Sequence, residues 1–193
     1  MEWHNKVFVF DNIISLEKQE EIKSVLLSDT FPWFYQPDVT NAAVLEKRPG
    51  FAHVFVSTGG KINSPHHELV LPIVKNACEK VDMRGERKYL QGRTFLQLSL
   101  NLKNYDLDMP HVDLRDFKHM VVLYYVKDAD GETVIYNEQY TDDKNIPKNN
   151  DLTEKTRVMP KQGRVVIFDG FYWHTAAQPQ NGNDRCIINY NVV

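Results

Sequence analysis

Between Arg93 and Leu102 the chain reads with a period of two: Phe95, Gln97, Ser99 and Asn101 share one face, and Leu96, Leu98, Leu100 and Leu102 share the other. Successive side chains of a strand point to opposite faces. Only a β conformation therefore keeps the four leucines together, since a helix would spread them around its circumference. The aliphatic face must be covered by another layer, whereas the polar face leads into the His111 region. A sheet packed on one side and enclosing a polar ligand on the other meets both demands, as in a barrel interior or a two-sheet fold.

The rest of the second half has the same short-strand grain. Lys118–Val126 is apolar and β-prone, Asp128–Gly131 is a hairpin-type turn, and Glu132–Tyr136 is the next strand. Arg164–Phe168 reads as a buried strand after the turn Pro160–Gly163. Gln180–Asp184 is a hairpin signal before a last strand, Arg185–Val193, with Arg185, Ile187 and Asn189 on one face. Residues 137–156 are polar and aperiodic, and are expected to form one long loop, either a lid or a floppy surface segment.

The first half supports this pattern without repeating it. Lys6–Phe10 is a strand, and Ser15 caps a helix ending near Ser28. The aromatic cluster Phe31–Tyr35 is expected to pack inside, 36–50 to form a loop, and Gly50–Ser57 a strand in which His53 is structural. Pro65–Met83 fits a helix, with Leu69, Ile73, Ala77 and Val81 every four residues and a kink threatened at Pro72. His66 and His67 are adjacent, not one turn apart, and so are poorly placed to chelate together. The expected fold is mainly β with flanking helices (α+β), a single domain over 1–193. Its core is a double-stranded β-helix, a cupin-like jelly roll, over 93–193, with 1–92 as a helical and strand support outside it.

Pro110-His111-Val112-Asp113 carries the chemistry. If Val112 ends a strand, His111 and Asp113 project from one face. With His174 brought in from a distant strand, two imidazoles and a carboxylate occupy one side of a metal. Such a set suits non-haem Fe(II) and leaves positions open for cosubstrate and dioxygen. Arg185, eleven residues after His174, would suit a cosubstrate with a spare carboxylate.

Composition narrows the function classes. A net charge of −3 gives no general attraction to nucleic acid or an anionic membrane. Two cysteines, Cys78 and Cys186, are too few for a disulfide framework, and free thiols in a reducing cytoplasm are expected. Met1–Lys6 lacks a basic-then-apolar leader pattern, and no apolar run reaches membrane length.

In order along the chain, Pro110-His111-Val112-Asp113, Val122–Val126, Asp130-Gly131-Glu132-Thr133, Met159–Gly163 running into Val166–Phe168, Trp173-His174 and Arg185 resemble the 2-oxoglutarate/Fe(II) dioxygenase superfamily. The likeness is strongest to its prolyl-4-hydroxylase-like branch, and it covers 93–193, about half the chain. It implies that His111, Asp113 and His174 bind Fe(II) and that Arg185 pairs with the distal carboxylate of 2-oxoglutarate. Tyr125 matches a position that often hydrogen-bonds the same carboxylate, and Asn101 one that faces the cosubstrate. Dioxygen is the oxidant, with ascorbate as accessory reductant. The products are succinate, carbon dioxide and a hydroxylated substrate, with a prolyl residue of a peptide or protein, or a free amino acid, as the leading class. Asp130 departs from the family's usual first glycine, which touches only the turn; the intact Asp113 disfavours halogenation. Two other readings stay open: a nucleobase-demethylating oxygenase, against which the charge counts, and a silent jelly-roll domain that binds metal or a partner.

Overall fold

Strand β5 (Met120–Tyr125) is buried along its whole length, and its two faces meet different cores. Met120, Val122 and Tyr124 face a core shared with the helices, while Val121, Leu123 and Tyr125 face a second sheet. A strand covered on both sides is the physical reason why this stretch reads as an unbroken apolar run. The computed structural model describes residues 3–40, 47–83, 85–100, 107–141 and 146–193.

The same two-sided burial runs through β8 (Val165–Asp169), where Val165 and Ile167 join the helical core and Val166 and Phe168 the inter-sheet core. In β10 (Arg185–Val192), Cys186, Ile188, Tyr190 and Val192 face the helices. Their alternates Arg185, Ile187 and Asn189 line a cavity between the sheets. Among the described residues the large sheet has seven strands in the order β1-β8-β5-β10-β4-β3-β2, with β1 Val7–Phe10, β4 Tyr89–Gln97, β3 Gly50–Val56 and β2 Phe34–Gln36. Facing it is a three-stranded sheet, β7-β6-β9, made of Glu154–Val158, Thr133–Gln139 and Tyr172–Ala176. All these pairings are antiparallel. The chain passes from the large sheet (β5) to the small (β6, β7), back (β8), across (β9) and back again (β10), which is the winding of a double-stranded jelly roll.

Helix α1 (Leu16–Leu26) begins where the Ser15 hydroxyl accepts a hydrogen bond from the Lys18 backbone N–H, 3.3 Å away. Its Ile22 and Leu26 are fully buried, each contributing about 1.5–3 kcal/mol. Helix α2 (His67–Lys80) buries Val70, Ile73, Val74 and Ala77 in the same core. It runs through Pro72, whose missing N–H leaves only the first-turn Glu68 carbonyl without its intrahelical partner. Among the described residues no helix is long and apolar enough to cross a membrane. Cys78 and Cys186 are free and buried.

Several expectations need correction. The second helix is shorter than Pro65–Met83 at both ends: Ser64 accepts from the His66 N–H and holds the entry turn, and beyond the Val81 cap Asp82 turns to a positive φ of 56°. The aromatic cluster splits: Phe31 is buried, but Phe34 and Tyr35 stand about three-fifths exposed on the edge strand β2. Neither hairpin signal makes a hairpin, since the turns at 128–131 and 180–184 join strands of opposite sheets. The loop expected over 137–156 is partly regular: β6 continues to Gln139, a 3-10 turn spans Asn149–Asp151, and β7 starts at Glu154, while 142–145 lie outside the described residues. His53 is structural, as expected, its ring bonded to the Pro32 carbonyl and the Ser64 hydroxyl.

Candidate active site

His111 and His174 meet through their backbones before their side chains do. The His111 N–H donates to the His174 carbonyl at 2.9 Å, and the His174 N–H returns the bond at 3.0 Å. This single antiparallel bridge extends the small sheet by one residue beyond β9. It sets the two rings 4.4 Å apart. His111 is therefore not at the end of a regular strand, as the sequence reading supposed; one bridge is enough to aim it. Asp113 joins them, and the three ligating atoms lie within 4.8 Å of one another, close enough for one ion to gather all three. Among the described residues this is the one such group of His, Cys and acidic side chains.

The hydrogen bonds around the triad decide which atoms are left free for an ion. Nδ1 of His174 lies 3.0 Å from the Tyr172 carbonyl, so Nδ1 carries the proton and Nε2 is left as the donor to a metal. Burial, with His111 beside it, pushes the His174 imidazolium down to about 4, so the ring is neutral near pH 7. Burial would raise the Asp113 carboxyl, but His174, Arg93, His111 and the Asn191 amide together outweigh it and hold the group well below the usual carboxylate range. Oδ2 of Asp113 accepts from Asn189 and Asn191, each at 2.9 Å, and Arg93 lies 3.4 Å from Oδ1. Neutral imidazoles and an ionised acid are what a divalent cation requires.

Arg185 opens the other end of the same cavity, about 260 Å³ in volume. It is buried, donating to the Gln97 side-chain oxygen and, at 2.7 Å, to the Thr133 hydroxyl. Among the described residues no carboxylate forms an ion pair with it, and its Nε is buried without a partner. Gly131 explains one motif position. A side chain there would strike the Ala177 carbonyl oxygen at 2.7 Å and the Arg185 Cδ at 3.0 Å, so only glycine lets the arginine stem pass.

Tyr125 lies behind Arg185, not on the cavity wall. Its ring is 5.6 Å from the guanidinium carbon and its hydroxyl donates to Thr133 at 2.7 Å. Asn101 falls outside the described residues. The polar face of β4 does turn to the cavity through Arg93, Phe95 and Gln97, but the strand ends there. The structure adds four contributors that the sequence motifs do not assign: Thr133, Asn191, Arg93 and Asp108. Alternation from Arg185 and Gln97 could have found Asn191 and Arg93. Nothing local marks Asp108, a cavity-lining acid raised by burial and capped by Gln178 at 2.7 and 2.6 Å, with Arg48 behind it.

The sequence matches no protein-family model and no curated protein. Solved structures match it over nearly its whole length. A 2OG-Fe(II) oxygenase family oxidoreductase from Burkholderia pseudomallei aligns at TM-score 0.69 and 13% identity, over 96% of this chain and 84% of that one. The fold is that of the 2OG-Fe(II) oxygenases. A prolyl hydroxylase from Trichoplax adhaerens, in complex with a hypoxia inducible factor peptide fragment, aligns at TM-score 0.61 and 15% identity over 97% and 83%. The α-ketoglutarate-dependent epimerase of nogalamycin biosynthesis aligns at 0.66 and 10% over 97% and 78%. This oxygenase fold thus serves more than one reaction, and the side chains have to decide among them.

Proposed function

We propose that this chain is an Fe(II)- and 2-oxoglutarate-dependent oxygenase that hydroxylates a prolyl residue of a peptide or protein, or a free amino acid. The observation that carries the reading is one cavity holding both the triad and a buried guanidinium with no acid partner among the described residues. A sealed, unpaired cation is strongly unfavourable, and an anionic ligand relieves it. A dicarboxylate that reaches from the triad to Arg185 fits that need. The likeness to a peptide-bound prolyl hydroxylase supports the substrate class. The net charge of −3 argues against a nucleic-acid substrate, and two buried free thiols suit a reducing cytoplasm.

In this reading His111, Asp113 and His174 hold the iron, while Arg185, with Thr133 and Gln97, takes the distal carboxylate. When bound, iron and cosubstrate supply the activation of dioxygen and the oxidation of a substrate C–H bond. The chain's own tasks are positional. The Tyr172 carbonyl fixes the His174 ring, and the Tyr125 and Arg185 donors converge on Thr133 to fix the guanidinium. Phe95, Leu123 and Ile187 give the cavity an apolar wall alongside its polar lining.

The test is aerobic incubation with Fe(II), 2-oxoglutarate and ascorbate, reading succinate with and without proline peptides or free amino acids. Succinate that requires iron and cosubstrate, with one oxygen gained by such a substrate, is expected. An anaerobic Fe(II)-loaded protein that develops no visible charge-transfer absorption on adding 2-oxoglutarate would overturn the reading.

A further inference from the structure

The last strand carries two asparagines, Asn189 and Asn191, where strand chemistry favours β-branched or aromatic residues. Being two apart, they share the face that looks across to Asp113. Their neighbours Ile188, Tyr190 and Val192 fill the helical core on the opposite face. Both asparagines are sealed: 6% and 0% exposed.

Each amide nitrogen donates to the same atom, Oδ2 of Asp113, at 2.9 Å. A carboxylate oxygen offers two lone-pair positions, so two N–H groups saturate Oδ2. An ionised carboxylate only accepts, which fixes both amides with their NH2 groups toward it and rules out the flipped orientation. The consequence is visible on the far side: both amide oxygens are buried, with no hydrogen-bond partner among the described residues. An amide half satisfied in a sealed place is unfavourable for the fold alone. Two of them, both directed to one oxygen of one metal-ligating residue, have their use in that oxygen. Oδ1 remains; among the described residues its hydrogen-bond donor is the Arg93 guanidinium, 3.4 Å away.

We infer that Asn189 and Asn191 act as an amide clamp, positioning residues that occupy Oδ2 of Asp113 and reserve Oδ1 as the single oxygen offered to the metal; this rests on the triad reading proposed above. The clamp stops the carboxylate from turning to chelate through both oxygens, which keeps a coordination position open on the ion.

The experiment is Mn(II) titration of the full chain carrying Asn189→Ala, Asn191→Ala or both, with thermal unfolding of the metal-free proteins alongside. Each single variant is expected to weaken Mn(II) by roughly 10-fold and the pair by roughly 100-fold, the range seen when groups that orient metal ligands are removed. The Co(II) visible spectrum should change in the same variants, because carboxylate ligation changes, while the metal-free unfolding midpoint of Asn189→Ala stays near that of the parent. Parent-like Mn(II) affinity in folded variants overturns the clamp. If Asn191→Ala does not fold, Asn189→Ala and Asn189→Ser, at the cavity wall, decide it. A parent protein that binds no Mn(II) overturns both readings. One that binds Mn(II) but forms no succinate overturns only the oxygenase reading, and the variants still decide the clamp.

Discussion

Arg185 shows how much one side chain can determine. Its guanidinium sits in a sealed pocket, donates to two neutral oxygens, and has no acid partner among the described residues. Charge-assisted hydrogen bonds are worth about 1.5–3 kcal/mol, so Arg185→Ala should weaken 2-oxoglutarate binding roughly 10- to 100-fold. Arg185→Lys should recover only part of it, because an ammonium cannot present a planar fork. Both are checked by anaerobic charge-transfer titration, with Mn(II) affinity expected to stay unchanged; normal cosubstrate affinity in Arg185→Ala would remove the arginine from the site. His174→Ala should instead abolish Mn(II) binding, measured by the same titration used for the clamp. Arg185 and the triad were legible because their residue types are chemically distinctive and their order along the chain is informative. Thr133 and Asp108 were not, since a threonine or an aspartate next to a turn says nothing about which cavity it will face.

At the scale of elements, the turn before β6 has a task that its sequence only half declares. Gly131 reads as a turn residue, but its place is set by the Arg185 stem and the Ala177 carbonyl packed against it. Gly131→Ala should therefore destabilise the fold by about 1–3 kcal/mol through overpacking and also weaken 2-oxoglutarate by displacing Arg185. Urea unfolding and cosubstrate titration check the two effects separately; loss of stability with unaltered cosubstrate binding would mean that the arginine does not move. The hairpin expectations failed for a related reason. A Gly- or Asn-containing turn reports that the chain reverses, but not whether the returning strand pairs with the one just left or crosses to the opposite sheet. Here both turns cross, because β5 and β10 find each other as neighbours in the large sheet. The extension of β6 to Gln139 was hidden because its last residues, Asn137, Glu138 and Gln139, are polar and leave the core.

Over the whole molecule, sealed imidazoles couple stability to pH. His174 is pushed down to about 4, and His53 and His67 are also lowered, each chiefly by burial, against an ordinary value of 6.5. Below 6.5 the unfolded chain binds protons that the folded chain refuses, so stability is full above that pH and is lost as pH falls toward 4. Asp113, held low, adds a further loss below its ordinary 3.8. Asp108, raised by burial, opposes these: its contribution is present at low pH and fades as pH rises through the carboxylate range. The metal-free melting midpoint is thus expected to fall between pH 6.5 and 4, and Mn(II) affinity to fall with it as protons compete for the imidazoles. A flat midpoint across that window would contradict the neutral, sealed His174. By itself the sequence determined seven of the ten strands found among the described residues, and the order of the ligands, because alternation is a property of a few neighbouring residues and needs no partner to be read; β2, β7 and β9 are too short or too polar to declare themselves. Only the tertiary structure decided which sheet each strand joins, and so brought Gln97 opposite Arg185 across β4 and β10 and set Asn189 and Asn191 on Asp113. Those pairs lie more than seventy residues apart, and they meet because the two packed cores on either side of the large sheet leave β10 one place to lie.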